Sequence, residues 1–439
     1  MFRALRILIA LSVTLTITAA SVGQASHTRA ATKQVLTVTY ADPIVDPALY
    51  LNAKTKSTAP ANYARAVQTQ KLLNAFYRIH PDYTVQFLNY GWSDVLRQKI
   101  LLKVAAGLAP DVIVGEDFIP EFARLGVLSP LPSSLMSVLA PGPASGGVYN
   151  GKLYAIPCAT GIFELFYNKA LFRKAGLNPN NPPKTWDEWL TDSKKIAALG
   201  NGISGTTVEA NTGLGAAYRL APFLRQMGGD FATQDGATIT FNTPANVKAL
   251  TFLRQLAQTA APGVTSIVDE GKFFTSTWWA GKAGFVVEGP WDIQSSQQFH
   301  LDFGVAPLPV GPGGHPANVI VGSTLYGVTK LSQHQQAAVD FVTLLARYDI
   351  AKGYYDASGR LPAVTSVLNK VVVRQGYPIN IFATGIQQPN ITPLPVYAAN
   401  TQKVWSTWYD AQLAALATSQ PIAQILSTAQ STAEGLLQQ

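Results

Sequence analysis

The chain has 439 residues, 47% of them hydrophobic and only 13% charged, with a formal net charge of +8 and a single cysteine. That length and apolar content exclude intrinsic disorder and exceed one ordinary core, so two or three globular units are expected. Lys and Arg are scattered, which marks a solvated cationic surface and excludes a nucleic-acid footprint. The lone Cys158, in an apolar stretch between Pro157 and Ala159, excludes an intrachain disulfide and reads as an inert buried thiol.

Residues 1–25 read as a cleavable secretory signal peptide. Arg3 and Arg6 precede an uncharged apolar stretch, Ile7–Ala20, and Gly23-Gln24-Ala25 offers small residues at the spacing of a cleavage site. The apolar stretch is shorter than the ~20 residues of a membrane span. No cysteine lies near the cleavage region for lipid attachment, so an exported, periplasmic or extracytoplasmic protein is expected.

Val35–Tyr40 alternates and is β-branched, which predicts a strand; Tyr63–His80 has helical apolar spacing and is ended by Pro81. Thr84–Leu88 returns to strand character, Asp94–Ala106 is a helix closed by Gly107, Asp111–Val114 is a short buried strand, and Pro120–Leu125 is a short helix stopped by Gly126. This rhythm predicts a mostly parallel sheet with helices on both faces, and binding loops beyond the strands' carboxyl ends at Asn89–Trp92 and Gly115–Phe118. Further on, Thr185–Leu199 is a helix whose Thr185 and Glu188 form a capping box. Helices follow over Ala216–Met227, Asn246–Thr259 and Gln333–Ala346, with buried strands at Phe285–Val287 and Ile320–Val321 and a helical tail from Val404.

Several segments in order resemble the family 1 extracellular solute-binding proteins of ABC importers, the group of maltose- and glycerol-phosphate-binding proteins. They are KILLKVAAGLAPDVIV from Lys99, YNGKLYAIP from Tyr149, FYNKALFRKAGLNPNNPPKTWDEWL from Phe166, WWAGKAGFVVEGPW from Trp278, and FGVAPLP from Phe303 with the stretch Val321–Ala346. Each is weak alone; their order across nearly the whole mature chain makes the match specific. The resemblance implies a two-lobed α/β fold, each lobe a mostly parallel sheet flanked by helices, with the ligand cleft between lobes. It places residues 31–157 plus about 322–350 in the first lobe and about 158–321 plus 351–439 in the second. Crossovers are expected near Ile156–Ala159, Val321–Thr324 and 347–352. It also implies a monomer that captures a carbohydrate, an oligosaccharide for preference, and delivers it to a separate membrane permease. Neither cofactor nor metal is expected.

A sugar has apolar C–H faces and a rim of hydroxyls, so its site needs aromatic platforms with polar side chains around them. Trp291, behind the rigid Gly289-Pro290 turn, is the first candidate: an exposed ring at a strand end that stacks on a pyranose and supports little of the core. Against the family pattern, Glu116 and Asp117 follow a strand and are candidates to pair hydroxyls; Asp117 equally suits a helix N-cap. Tyr218 and Arg219 are candidates on a helix, and Trp92 in a strand-end loop. Of the pair Trp278-Trp279 one is expected in the core, which leaves Trp279 as a candidate. Ser323, Thr324 and Tyr326 lie near the second expected crossover, and Ser323 and Tyr326 complete the site. Trp186 and Trp189 read as packing residues.

An enzyme is the weaker reading. The His residues stand apart, with neither a metal-ligand spacing nor a Gly-x-Ser-x-Gly elbow, though carboxylate pairs of a glycan-active enzyme meet only in space. Other solutes are open alternatives: glycerol phosphate, a polyamine, or ferric ion through Tyr354-Tyr355.

Overall fold

The computed structural model describes residues 32–438 apart from 117, 211–212, 234, 268, 389–390 and 398. The expected signal peptide and Asp117 lie outside the described residues.

In the first part of the chain β1 (Gln34–Thr39), β2 (Tyr83–Leu88), β3 (Val112–Gly115) and β4 (Leu128–Ser129) alternate with helices Pro60–Ile79, Ser93–Ala105 and Ile119–Arg124. The helix after β1 starts on Pro60, whose missing N–H costs nothing at that position, and ends at His80 because Pro81 disfavours helical backbone before it. Its Leu72, Leu73 and Phe76 pack inward. A hairpin of β5 (Val148–Tyr149) and β6 (Lys152–Leu153) leads to β7 (Ala155–Gly161), which runs almost directly into β8 (Glu164–Asn168). β9 (Ser204–Thr206), β10 (Ala283–Glu288), β11 (Phe303–Ala306) and β12 (Val321–Thr329) follow, spaced by helices. The capping box at the start of helix Trp186–Ala197 is formed as expected, with both Thr185 and Glu188 taking part.

Two sheets result. The first has strand order β2-β1-β3-β12-β4, with β7 also paired to β12; the second is β11-β8-β10-β9. β1 runs parallel to β2 and β3, as the helical crossovers require. β12, however, is antiparallel to β3, β4 and β7. In the second sheet β8 is antiparallel to β10 and β11, while β9 and β10 run parallel. Each sheet is thus mostly parallel, with one reversed strand, β12 in the first and β8 in the second. The strands that pass between the halves enter each sheet against the direction set by its βαβ units.

One core lies around the first sheet, with Val38, Phe76, Ile113, Ile156 and Tyr326. Another fills the second, with Phe172, Trp189, Phe223, Phe285 and Trp408, and a third joins Phe166, Trp278, Val286 and Phe382 beside it. The first core also takes in Ala351, Tyr354, Ala363, Val364 and Val367. Helix Tyr348–Ser358 thus packs with the first sheet, where a return to the second was expected from 351. The anchors are polar: Gln68 Nε2 donates to Ile350 O over 3.1 Å, and Tyr354 donates to Thr69 Oγ1 over 3.1 Å.

Trp186 stacks on Phe252 with centroids 4.2 Å apart and planes 4° from parallel, and its Nε1 donates to Gln226 over 2.9 Å. Replacing it with Ala should destabilise the protein by about 3–5 kcal/mol, the usual cost of emptying a buried Trp site. Urea unfolding should show this as a lower midpoint with an unchanged slope.

Candidate functional site

The carboxyl ends of β2, β3 and β10 and the start of β12 converge on a cavity of about 230 Å³. Strand ends leave main chain free to turn, which is why loops there present side chains to a ligand. Five sequence candidates meet in this cavity: Trp92, Glu116, Tyr218, Arg219 and Trp291. Trp92 stands 41% exposed at the first turn after β2. Glu116 follows β3 directly, and Tyr218 and Arg219 are buried on helix Leu214–Gln226.

Trp291 is half-buried, not an exposed ring. Its Nε1 donates to Glu288 Oε1 over 2.5 Å. Its six-membered ring lies against three glycines: a Cβ built on Gly161, Gly289 or Gly322 would come within 2.9, 2.3 or 2.9 Å of it. Phe163 meets it edge-on at 6.1 Å, and the Arg360 guanidinium carbon sits 5.4 Å from the ring centroid. The ring is fixed from several sides, so it adds to stability as well as lining the cavity.

Arg219 is held from all directions. Nε and Nη2 donate to Glu288 Oε2 over 3.2 and 2.6 Å, and Nη2 also reaches Glu270 Oε1 at 2.9 Å. Nη1 donates to Glu209 Oε2 at 2.6 Å and to the Gly215 carbonyl at 3.2 Å. The rings of Phe163 and Phe274 lie 5.3 and 5.2 Å from its guanidinium carbon. Burial pulls its pKa down, but the three carboxylates outweigh this and hold it above the ordinary arginine value.

Three candidates are placed elsewhere. Trp279 donates from Nε1 to Asp292 over 2.8 Å and stacks on Phe299, its ring turned away into the third core's margin. Ser323 is buried between the crossing strands, sharing a hydrogen bond of 3.0 Å with Thr160. Tyr326 is fully buried in the first core, its hydroxyl bonded to Ala41 N and O. Side chains on β12 alternate in direction, and only its first residues, Val321 and Gly322, reach the cavity. The sequence gives no hint of Arg360, Phe163 or Glu270 as lining residues. Glu288 carried a signal: an acid closing the apolar run Phe285–Val287, just ahead of Gly289-Pro290-Trp291.

The hydroxyls of the adjacent tyrosines are bonded to separate partners, Tyr354 to Thr69 and Tyr355 to Gln375. Among the described residues no group of three or more His, Cys, Asp or Glu could hold a metal ion.

A pair of α/β halves joined by crossing strands, with a cavity walled by both, defines a two-lobed solute-binding protein. The chain belongs to the bacterial extracellular solute-binding protein family, whose sequence profile matches residues 60–352. A binding protein of Brucella abortus is 28% identical over 332 residues, which are 71% of this chain and 75% of that protein. The galactooligosaccharide-binding protein of Bacillus subtilis is 25% identical over 271 residues, 60% of this chain and 62% of that one. Among solved structures, the cyclic alpha-maltosyl-1,6-maltose binding protein of Arthrobacter globiformis superimposes with a TM-score of 0.74 at 23% identity, over 92% of this chain and 99% of that one. At that identity the likeness is one of fold. No helix among the described residues is long and apolar enough to cross a membrane.

Behind the cavity wall Asp292 accepts from Trp279 Nε1 and, over 2.8 Å, from Ser296 Oγ. Burial, and after it the nearby charge of Glu288, pushes its carboxyl up to about 7. An unfolded Asp titrates near ~3.9. Between the two values the folded state binds the extra proton, so stability falls as pH rises through that window and levels off above it. Asp292→Asn removes the titration. Its melting temperature should lack this decline between pH 5 and pH 8 and exceed that of the wild type at pH 8. Identical pH profiles for the two proteins would refute the assignment.

Proposed function

We propose that this protein is the extracytoplasmic binding component of an ABC import system, and that it captures a carbohydrate, an oligosaccharide for preference, by closing two lobes around it. In this reading the first sheet with residues up to about 157 and the returning β12 forms one lobe. The protein is exported by its N-terminal signal, acts as a monomer and hands its solute to a membrane permease.

The single observation that carries the reading is Trp291. Its indole lines the cavity, with its edge gripped by glycines and its N–H satisfied by Glu288, so the ring is preset as a platform. An apolar platform of this size, ringed by Glu116, Tyr218 and Trp92, suits the alternating C–H faces and hydroxyls of a pyranose. Relatives named for galactooligosaccharide and for a cyclic maltosyl-maltose support a carbohydrate. Glycerol phosphate is less well served. Arg219, the cation the sequence offers for an anion, is already occupied by three carboxylates.

The test is a thermal-shift panel of maltose, maltotriose, maltotetraose, β-1,4-galactotriose, trehalose, trigalacturonate, glycerol 3-phosphate, spermidine and ferric ion. A solute held only by the folded state at a hundred times its Kd adds about 2.7 kcal/mol, a rise of several degrees. A neutral sugar should give the largest rise. A rise with only spermidine, glycerol 3-phosphate or iron, or with none of the panel, would sink the carbohydrate reading. Trp291→Ala should weaken calorimetric affinity for that sugar by about 30- to 200-fold, the equivalent of ~2–3 kcal/mol. It should also lower the ligand-free melting temperature, because the ring is half-buried and hydrogen-bonded.

A further inference from the structure

Two arginines line the cavity, and their hydrogen-bonding states are opposite. Arg219 donates from every guanidinium nitrogen to Glu209, Glu270, Glu288 or the Gly215 carbonyl. Arg360 donates only from Nε, to Asp42 Oδ2, and its Nη1 and Nη2 have no hydrogen-bond partner among the described residues. It is not loose. Its side chain is 17% exposed, its guanidinium lies over Trp291, and Asp42 is itself paired with Arg65 at 3.1 Å. Asp42 follows β1 of the first sheet, whereas Trp291 follows β10 of the second. Arg360 therefore spans from one wall of the cavity to the other, with the outer edge of its fork unspent.

A guanidinium is weakly hydrated, so bringing it against a solute costs less desolvation than an ammonium, and its two outer nitrogens present parallel N–H donors. Such a fork fits either a carboxylate or two neighbouring hydroxyl oxygens. The surroundings choose between them. The carboxylates of Asp42, Glu116, Glu209, Glu270 and Glu288 outnumber the guanidinium groups of Arg65, Arg219 and Arg360. An anionic solute would enter that field at a loss, and a neutral diol would not.

We infer that Arg360, and not Arg219, is the arginine that contacts the solute, and that it donates from Nη1 and Nη2 to adjacent hydroxyls of a neutral sugar lying on Trp291. The inference rests on the carbohydrate reading above and adds to it the residue that selects among sugars. Arg219 is then a wall residue: Arg360 supplies the hydroxyl contacts, and the carboxylates around the cavity set the preference for neutral over acidic sugars.

The experiment is titration calorimetry on the full chain and on R360A, R360K and R360Q. The probes are the neutral panel sugar that raises the wild-type melting temperature most, and trigalacturonate. The wild type should prefer the neutral sugar at least tenfold. R360A should lose about 10- to 100-fold in affinity for it, and R360K about tenfold, since a lone ammonium keeps the charge next to Asp42 but has no fork. R360Q, which keeps a planar donor without the charge, should fall between R360K and R360A, and it serves in place of R360A if that variant does not fold. Wild-type affinity in all three variants would overturn the role of Arg360 while leaving the carbohydrate reading standing. Tighter binding of trigalacturonate by the wild type would overturn the neutral-diol assignment. If no sugar of the panel stabilises the wild type, the carbohydrate reading fails and this inference goes with it.

Discussion

A guanidinium buried under three carboxylates sets the shape of the cavity's second wall. Arg219 links helix Leu214–Gln226 to Glu209, to Glu270 at the start of helix Glu270–Ser276 and to Glu288 at the end of β10. The helices among those elements also pack through apolar contacts, which are not directional. A charge in such a place must be paired fully, because removing one partner of a buried ion pair strands the other at a cost of about 3–5 kcal/mol. The arrangement is therefore close to all-or-none, and the position of the Trp291 platform follows from it through Glu288.

The two walls are built on different principles. On the second-sheet side the polar groups are saturated and rigid, with Glu288 accepting from Trp291, Gly289 and Arg219. On the other side Trp92 stands out into solvent, and the Arg65–Asp42–Arg360 triad carries spare donors. A fixed wall facing an adaptable one lets a site hold a common feature of its solutes firmly and fit their variable parts. That division agrees with a family whose members share a fold while the relatives named above bind different sugars.

What the sequence reveals divides along the range of the interactions involved. The capping box of Thr185 and Glu188 and the helix stop before Pro81 are local chemistry and are legible directly. Trp92, Glu116 and Trp291 are legible because they follow strand-like runs, and strand ends converge in a sheet fold. Arg219 is legible as a lining residue but not in its role, since the three carboxylates that occupy it come from three separate segments. Arg360, behind Gly359 at the end of a helix, has no local signature at all. The misplaced candidates fail for a short-range reason that only the backbone decides. Trp278 and Trp279 are neighbours whose rings diverge, one onto Ser296 and one onto Asp292. Ser323 and Tyr326 lie only a few residues beyond the last position of β12 that reaches the cavity.

The slot that receives Trp291 is made of main chain from β7, from the turn after β10 and from β12, regions distant in sequence. It works as a thickness gauge. An indole edge fits where no Cβ stands, and an alanine at Gly161 or Gly322 would occupy the same space. At Gly322 the backbone is also left-handed, with φ of 60°, which disfavours any replacement. Side chains that face a solute can be exchanged between relatives one by one, but a platform seated this way cannot. Grafting this protein's cavity onto a relative therefore requires carrying over bare backbone at Gly161, Gly289 and Gly322 along with the side chains of the lining.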